Sequence, residues 1–278
     1  MTNYYLENAG AWSKVGLHEA SVASTNTALQ ERVEAAVRAG RPLLLGTSLR
    51  ADAQTAGRGR HRRRWYAQAG LNLTVSYLLG DGGLLPQRLF CMSQLVGLAV
   101  RDTVESLVQG ALEARGLRCT LKWPNDVFIG DRKVAGILLE SNLQADRIAY
   151  FVAGVGLNVH ETQFLDLDEP RSATSLAAYG LAPYFDVRSV WEMLTHNLQA
   201  RYAELAQLSD AGDVYPLQRH YHEYLLGFGE LQEFVKVKTG ERFLAKVLGV
   251  DPNGRLRLEV NSETEIFDLD ALRQVVAR

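Results

Sequence analysis

Two periods run through the apolar positions of this chain, one near two residues and one near 3.6. "VGLHEA" (15–20) reads as a short strand, and "SVASTNTALQERVEAAVRAG" (21–40) as a helix with Ser24, Thr25 and Asn26 at its start and Gly40 just past its end. "LLLGTS" (43–48) has the composition of a buried strand, and residues 50–64 carry too much charge to pack, so they are expected to form a loop. "LNLTVSYLL" (71–79) alternates as a strand does. Residues 86–108 open on Pro86 and place Leu89, Met92, Val96, Val100 and Leu107 near one helical face.

"LRCTLKWPNDVFIGDRKVAGILLES" (117–141) predicts a strand, a turn at Trp123 to Asp126, and a hairpin through Gly130 and Asp131 into "KVAGILLE". Another strand is expected at 147–159, then an acid-rich loop and a helix from Val187 to Leu208 with Val190, Leu194, Leu198, Tyr202 and Leu205 on one face. A second helix ending near Gly227 closes this part. Beyond it, "EFVKVK", "RFLAKVLGV", "RLRLEV" and "EIFDL" are short alternating strands joined by turns, the pattern of a small β-barrel-like module. The fold class is α+β: a mixed β-sheet backed by helices over residues 1–229, followed by a small barrel over 230–278.

Composition narrows the function classes. With 47% hydrophobic residues in 278, the chain can bury a sizeable core, which excludes a disordered or fibrous protein. A net charge of −2 excludes the broad basic footprint of a general nucleic-acid binder. Cys91 and Cys119 have no ligand spacing and read as reduced buried thiols, which points to the cytoplasm; no signal peptide or apolar run of membrane-spanning length stands out.

Against that near-neutral background, "GRGRHRRRW" (57–65) packs Arg58, Arg60, His61, Arg62, Arg63 and Arg64 into seven positions. Guanidinium groups are planar forks that match phosphate and carboxylate oxygens, and glycine lets backbone amides approach an anion closely. Arg58 and Arg60 sit among glycines in "AGRGR" and are the better ligand candidates. Arg62, Arg63 and Arg64 read equally well as a solvated charged turn. The loop lacks the Lys-Ser/Thr ending of a P-loop and the dinucleotide fingerprint.

Taken together and in order, "STN" (24–26), "QTAGRGRHRRRW" (54–65), "KWPNDVFIGDRKVAGILLE" (122–140), "GVGLNV" (154–159) and "ATSL" (173–176) resemble the biotin protein ligases over nearly the whole chain. The resemblance implies a mixed sheet backed by helices with an SH3-like C-terminal barrel. It also implies two-step chemistry, in which biotin and ATP give biotinyl-5'-adenylate and a lysine of a biotin carboxyl-carrier protein then takes the acyl group.

Carried over residue by residue, Ser24, Thr25, Asn26, Gln54, Gly57, Arg58, Gly59, Arg60, Lys133 and Gly136 correspond to biotin contacts. Arg58, Arg60, Trp65 and Asn158 correspond to nucleotide contacts, and Arg58, Lys122, Asp126 and Lys133 are implied to carry the catalysis. Mg²⁺ is expected with the ATP, without a protein-only metal cage. His61 and Arg62 depart from the family's usual Gly-Arg-Gly-Arg-Arg-Gly, leaving those two positions without an assigned role. About a dozen residues precede the first strand, so no DNA binding is expected; a second copy of the chain remains a candidate partner. A lipoate or octanoate ligase of the same fold and a biotinyl-adenylate-binding regulator are the alternatives.

Overall fold

The computed structural model describes residues 12–13, 15–81, 84, 89–108, 110–144, 147–164, 173–179, 185–210 and 215–276. Twelve strands form two sheets among these residues. The larger contains β1 (Gly16–Val22), β2 (Ser48–Gln54), β3 (Asn72–Leu79), β4 (Cys119–Lys122), β5 (Asp126–Ile129), β6 (Arg132–Gln144) and β7 (Arg147–Asn158), in the order β1-β2-β3-β7-β6-β5-β4. β1 and β2 are parallel and every other pair is antiparallel, so the sheet is mixed as expected.

Alternation along the strands sorts side chains onto two faces. On one face, Tyr77 of β3 meets Thr195 across an O···O distance of 2.9 Å, and Ile137 of β6 lies beneath Gly97. Those neighbours belong to the helices α2 (Phe90–Leu107) and α3 (Val187–Asp210), which supply the main hydrophobic layer. Val190, Leu194, Leu198, Tyr202 and Leu205 of α3 are all buried, as the 3.6-residue period predicts. On the opposite face, Ser76 meets the start of α1 (Thr25–Arg38), whose Leu29 and Val33 are buried against the sheet. The arginine loop lies on this second face.

Two sequence expectations need correction. The strand predicted at 43–48 instead spans Ser48–Gln54, running into the stretch from residue 50 expected to be a loop. Its polar residues are accommodated pairwise: Arg50 lies 3.6 Å from Asp52 and over the Trp191 ring, while Leu49 and Ala51 point inward. The helix expected to run to Gly227 is α4 (Tyr215–Glu223), and the chain turns through Gly227 in the left-handed region, φ +75°. Pro86 and residues 165–172 of the acid-rich loop after β7 lie outside the described residues.

The smaller sheet is antiparallel, with β8 (Leu231–Lys236), β9 (Arg242–Val250), β10 (Leu256–Val260), β11 (Glu263–Phe267) and β12 (Leu272–Val275) ordered β11-β10-β9-β8-β12. It is tied to the larger sheet at several points. Leu121 and the segment before β8 exchange backbone bonds, Leu121 N to Tyr224 O at 2.8 Å and Leu226 N to Leu121 O at 2.9 Å, which covers the β4 edge. Buried Trp123 donates its indole N–H to the Gly254 carbonyl at 2.8 Å, and Gly254 packs so closely on Phe90 that a Cβ there would lie 2.3 Å from the ring.

Candidate active site

Ser24 takes the extended conformation of a helix N-cap, φ −154° and ψ 136°, yet its hydroxyl makes no capping bond. The cap comes from β2: Gln54 Oε1 accepts the Thr25 backbone N–H at 2.8 Å and the Thr25 hydroxyl at 3.2 Å. Ser24, Thr25 and Asn26 are all buried. Asn26 Nδ2 donates to Leu138 O at 3.2 Å and to Glu140 Oε2 at 2.7 Å, while its Oδ1 accepts from Ser76 at 2.6 Å. Gly154 makes room for this amide, because a Cβ there would meet Asn26 Oδ1 at 2.3 Å. The structure therefore brings Ser24, Thr25, Asn26 and Gln54 together, with the Asn26 amide already engaged on three sides.

The arginine loop is a tight hairpin. Gly57 O accepts from Trp65 N at 3.0 Å, Gly59 N donates to Arg63 O at 2.7 Å, and Arg58 and Arg64 form an antiparallel bridge. Gly57 is required by close approach, since a Cβ would lie 2.5 Å from the Trp65 carbonyl. At the tip His61 adopts φ +54°, the left-handed region that L-residues rarely enter. Arg58 bonds Glu140 Oε2 at 3.0 Å and Thr27 Oγ1 at 3.1 Å. Arg60 and His61 both reach Asp270 Oδ1, each at 2.7 Å, joining the loop to the segment before β12. Burial lowers the Arg60 pKa, an effect opposed by Asp270 and Asp126 and reinforced by Arg63.

Trp65 lies flat against the sheet where it has no side chains. A Cβ on Gly156 would fall 2.2 Å from the Trp65 ring, and one on Gly136 would meet it at 3.0 Å. These two glycines face each other across β6 and β7. Lys133 Nζ stands 5.6 Å from the centre of the ring and 2.6 Å from Asp126 Oδ1. Asp126 opens β5, opposite Lys122 on one side and Gly136 on the other. Burial depresses the Lys122 pKa; Asp126 opposes this, and Lys133, Arg273 and Arg63 add to it. A band of cations from both sheets thus surrounds one carboxylate.

Asn125 closes the turn before β5 through its bond to Ile137 O at 2.8 Å. Asn158 ends β7 on the same face as Gly156 and donates to Thr174 O at 2.9 Å. Of the predicted site residues, Lys133, Asp126, Trp65 and Gly136 converge; Arg58 turns instead to Glu140 and Thr27, Arg60 to Asp270, and Asn158 holds the 173–176 segment. Sequence reasoning missed Ser76, Glu140 and Asp270. Among the described residues no group of three or more His, Cys, Asp or Glu side chains could hold a metal ion.

A family model described as the biotin/lipoate A/B protein ligase family matches residues 21–158. The chain is 34% identical over 221 residues to a biotin--[acetyl-CoA-carboxylase] ligase of Mycobacterium tuberculosis, an alignment covering 80% of this chain and 76% of that one. It is 31% identical over 216 residues to the bifunctional ligase/repressor BirA of Bacillus subtilis, spanning 78% of this chain but only 62% of that relative. Among solved structures, the biotin protein ligase of Aquifex aeolicus in complex with biotin and ATP superposes with a TM-score of 0.69 at 25% identity, covering 95% of this chain and all of that one. The Leishmania major biotin protein ligase with biotinyl-5-AMP shares the fold at a TM-score of 0.57 and 19% identity, over 95% of this chain and 100% of that one.

Proposed function

The chain belongs to the biotin/lipoate A/B protein ligase family, and from that premise we propose that it is an ATP-dependent biotin–protein ligase. The observation that carries this reading is the Lys133–Asp126 ion pair of 2.6 Å beside Trp65. It holds in one place the cation that an anionic first step needs and the carboxylate that an amine-consuming second step needs.

In the first step a biotin carboxylate oxygen attacks the α-phosphorus of ATP, the bond from that phosphorus to the bridging oxygen breaks, and pyrophosphate leaves with the electron pair. Two anions must meet, so Arg58, Arg60 and Lys133 offset their repulsion and stabilise the charge that grows in the transition state. Lys122 extends the cationic band toward the leaving pyrophosphate. Mg²⁺ belongs to the MgATP substrate in this reading. In the second step a carrier lysine attacks the acyl carbon and AMP departs. That lysine, with an ordinary pKa near ~10.4, must shed a proton first, and Asp126 orients the amine and accepts the proton. Trp65 and Asn158 border the nucleotide. Ser24, Thr25 and Gln54, with Gly57 and Gly59, surround the ureido ring, whose carbonyl accepts and whose two N–H groups donate.

The partner is a biotin carboxyl-carrier protein. The catalytic unit runs to residue 229, with an SH3-like unit from 230 to 278, and the setting is cytoplasmic. A second copy of the chain is a further partner in this reading, which sedimentation velocity would detect. DNA binding is not part of the reading; a salt-sensitive, sequence-specific gel shift at nanomolar protein would contradict this.

ATP–pyrophosphate exchange is the deciding experiment. Biotin should support exchange, and Arg58→Ala or Lys133→Ala should each slow it by roughly a hundredfold, about 3 kcal/mol per lost contact. Exchange with lipoate or octanoate in place of biotin would move the protein to the other branch of the family.

A further inference from the structure

Glu140 lies within β6 as an acidic residue with no assigned role, yet its Oε2 is the meeting point of two site elements. It accepts from Asn26 Nδ2 at 2.7 Å and from Arg58 Nη2 at 3.0 Å. An ionised carboxylate can only accept, and this fixes the polarity of everything attached to it. Asn26 must present its NH₂ to Glu140 and Leu138 O, so its Oδ1 must face Ser76. Ser76 has one proton, and the shorter of its contacts, 2.6 Å against 2.8 Å, commits it to Asn26. The Ser76 lone pairs then face the Thr25 hydroxyl, whose proton is spent on Ser76 or on Gln54 Oε1.

What remains free at Thr25 Oγ1 is acceptor capacity. The Gln54 carbonyl oxygen is likewise engaged by the Thr25 backbone, so what Gln54 has left to offer is its NH₂. The polarity carried from Glu140 thus leaves an acceptor for an N–H group and a donor for a carbonyl, side by side, as one edge of a cyclic urea requires. Resting on the biotin reading, we propose that Glu140 is a positioning residue for biotin specificity: through Asn26 and Ser76 it holds Thr25 as the acceptor for a ureido N–H, and through Arg58 it anchors the loop.

Glu140→Gln leaves the Leu138 carbonyl, at the longer distance of 3.2 Å, as the acceptor that orients Asn26; an amide that donates toward Asn26 favours the turned-over residue, whose NH₂ sends the Ser76 proton onto Thr25. The test is a double-mutant cycle in biotin binding by titration calorimetry, which needs no ATP. Glu140→Gln and Thr25→Val should each weaken biotin by about tenfold, and the double variant should be no worse than about tenfold, since both remove the same acceptor. A Glu140→Gln affinity within twofold of wild type, or a double variant weakened by the full product of the two, overturns the proposal. If Glu140→Gln does not fold, Ser76→Ala decides: an unchanged affinity overturns the proposal and a tenfold loss supports it. Wild-type protein that binds biotin without catalysing exchange would remove the ligase reading and leave this proposal standing; protein that does not bind biotin overturns both.

Discussion

Burial depresses the pKa of Lys122 below its ordinary 10.5, and the neighbouring cations deepen the shift against the pull of Asp126. The folded chain therefore binds this proton less readily than the unfolded chain, and stability rises as pH climbs toward 10.5. Lys122→Met should raise stability near pH 7 by about 1 kcal/mol, or roughly 2–4 °C in melting temperature, and flatten the gain at alkaline pH. The same variant should slow pyrophosphate exchange, since the proposed function assigns the positive field that costs stability to the phosphates. Scanning calorimetry at pH 7 and 9 checks the first claim, and an unchanged melting temperature would mean that Lys122 carries no such cost. Lys122, Asp126 and Lys133 were legible in the sequence because they share one short motif. Glu140 and Asp270 were not: their arginine partners lie 82 and 210 residues away, and only the packed sheet brings them into reach.

At the scale of elements, α3 follows from apolar periodicity because it buries one regular face, and strands β3, β6 and β7 from their apolar and β-branched composition, β3 being buried along its whole length. β2 does not, since it alternates Arg50, Asp52 and Gln54 with its buried positions, and the Trp191 ring over Arg50 and the His18 ring that meets Asp52 come from elsewhere in the chain. The arginine loop was similarly read as unpacked charge, whereas it is a hairpin pinned by Gly57 and Trp65. Gly57→Ala would drive a Cβ to 2.5 Å from the Trp65 carbonyl and 3.1 Å from Gln54 Nε2, so backbone must move on a side that no rotamer change can relieve. Exchange should fall by more than about tenfold while the melting temperature stays within a few degrees, because the loop contributes little buried apolar surface. Trypsin should cut faster within the loop; wild-type cleavage rates together with normal exchange would show that the hairpin tolerates the shift.

Over the whole molecule, the two sheets are joined by bonds that differ in how they respond to solvent. His222 of α4 accepts the Val250 N–H at 2.9 Å and stacks on Phe228, and burial lowers its pKa from 6.5. Neutral imidazole is thus favoured in the folded chain, and stability should fall as pH drops below 6.5, with His222→Gln flattening that decline. The loop's own tie is of another kind. Asp270, 60% exposed at its side chain, holds Arg60 and His61 by charge in contact with water, where such pairs add little to global stability. Yet the tie fixes the segment that, in the proposed function, closes over the adenylate, and a closing loop is steadied by what holds its tip. Asp270→Asn keeps an acceptor but removes the charge. Its melting temperature should match wild type, while biotinyl-adenylate should dissociate several-fold faster at low salt. Because exposed charges are screened over about 3 Å at 1 M salt, the wild-type rate should rise to meet the variant's there. Dissociation followed by rapid quench at both ionic strengths reads this directly, and equal rates at low salt would show that the smaller sheet does not control the loop.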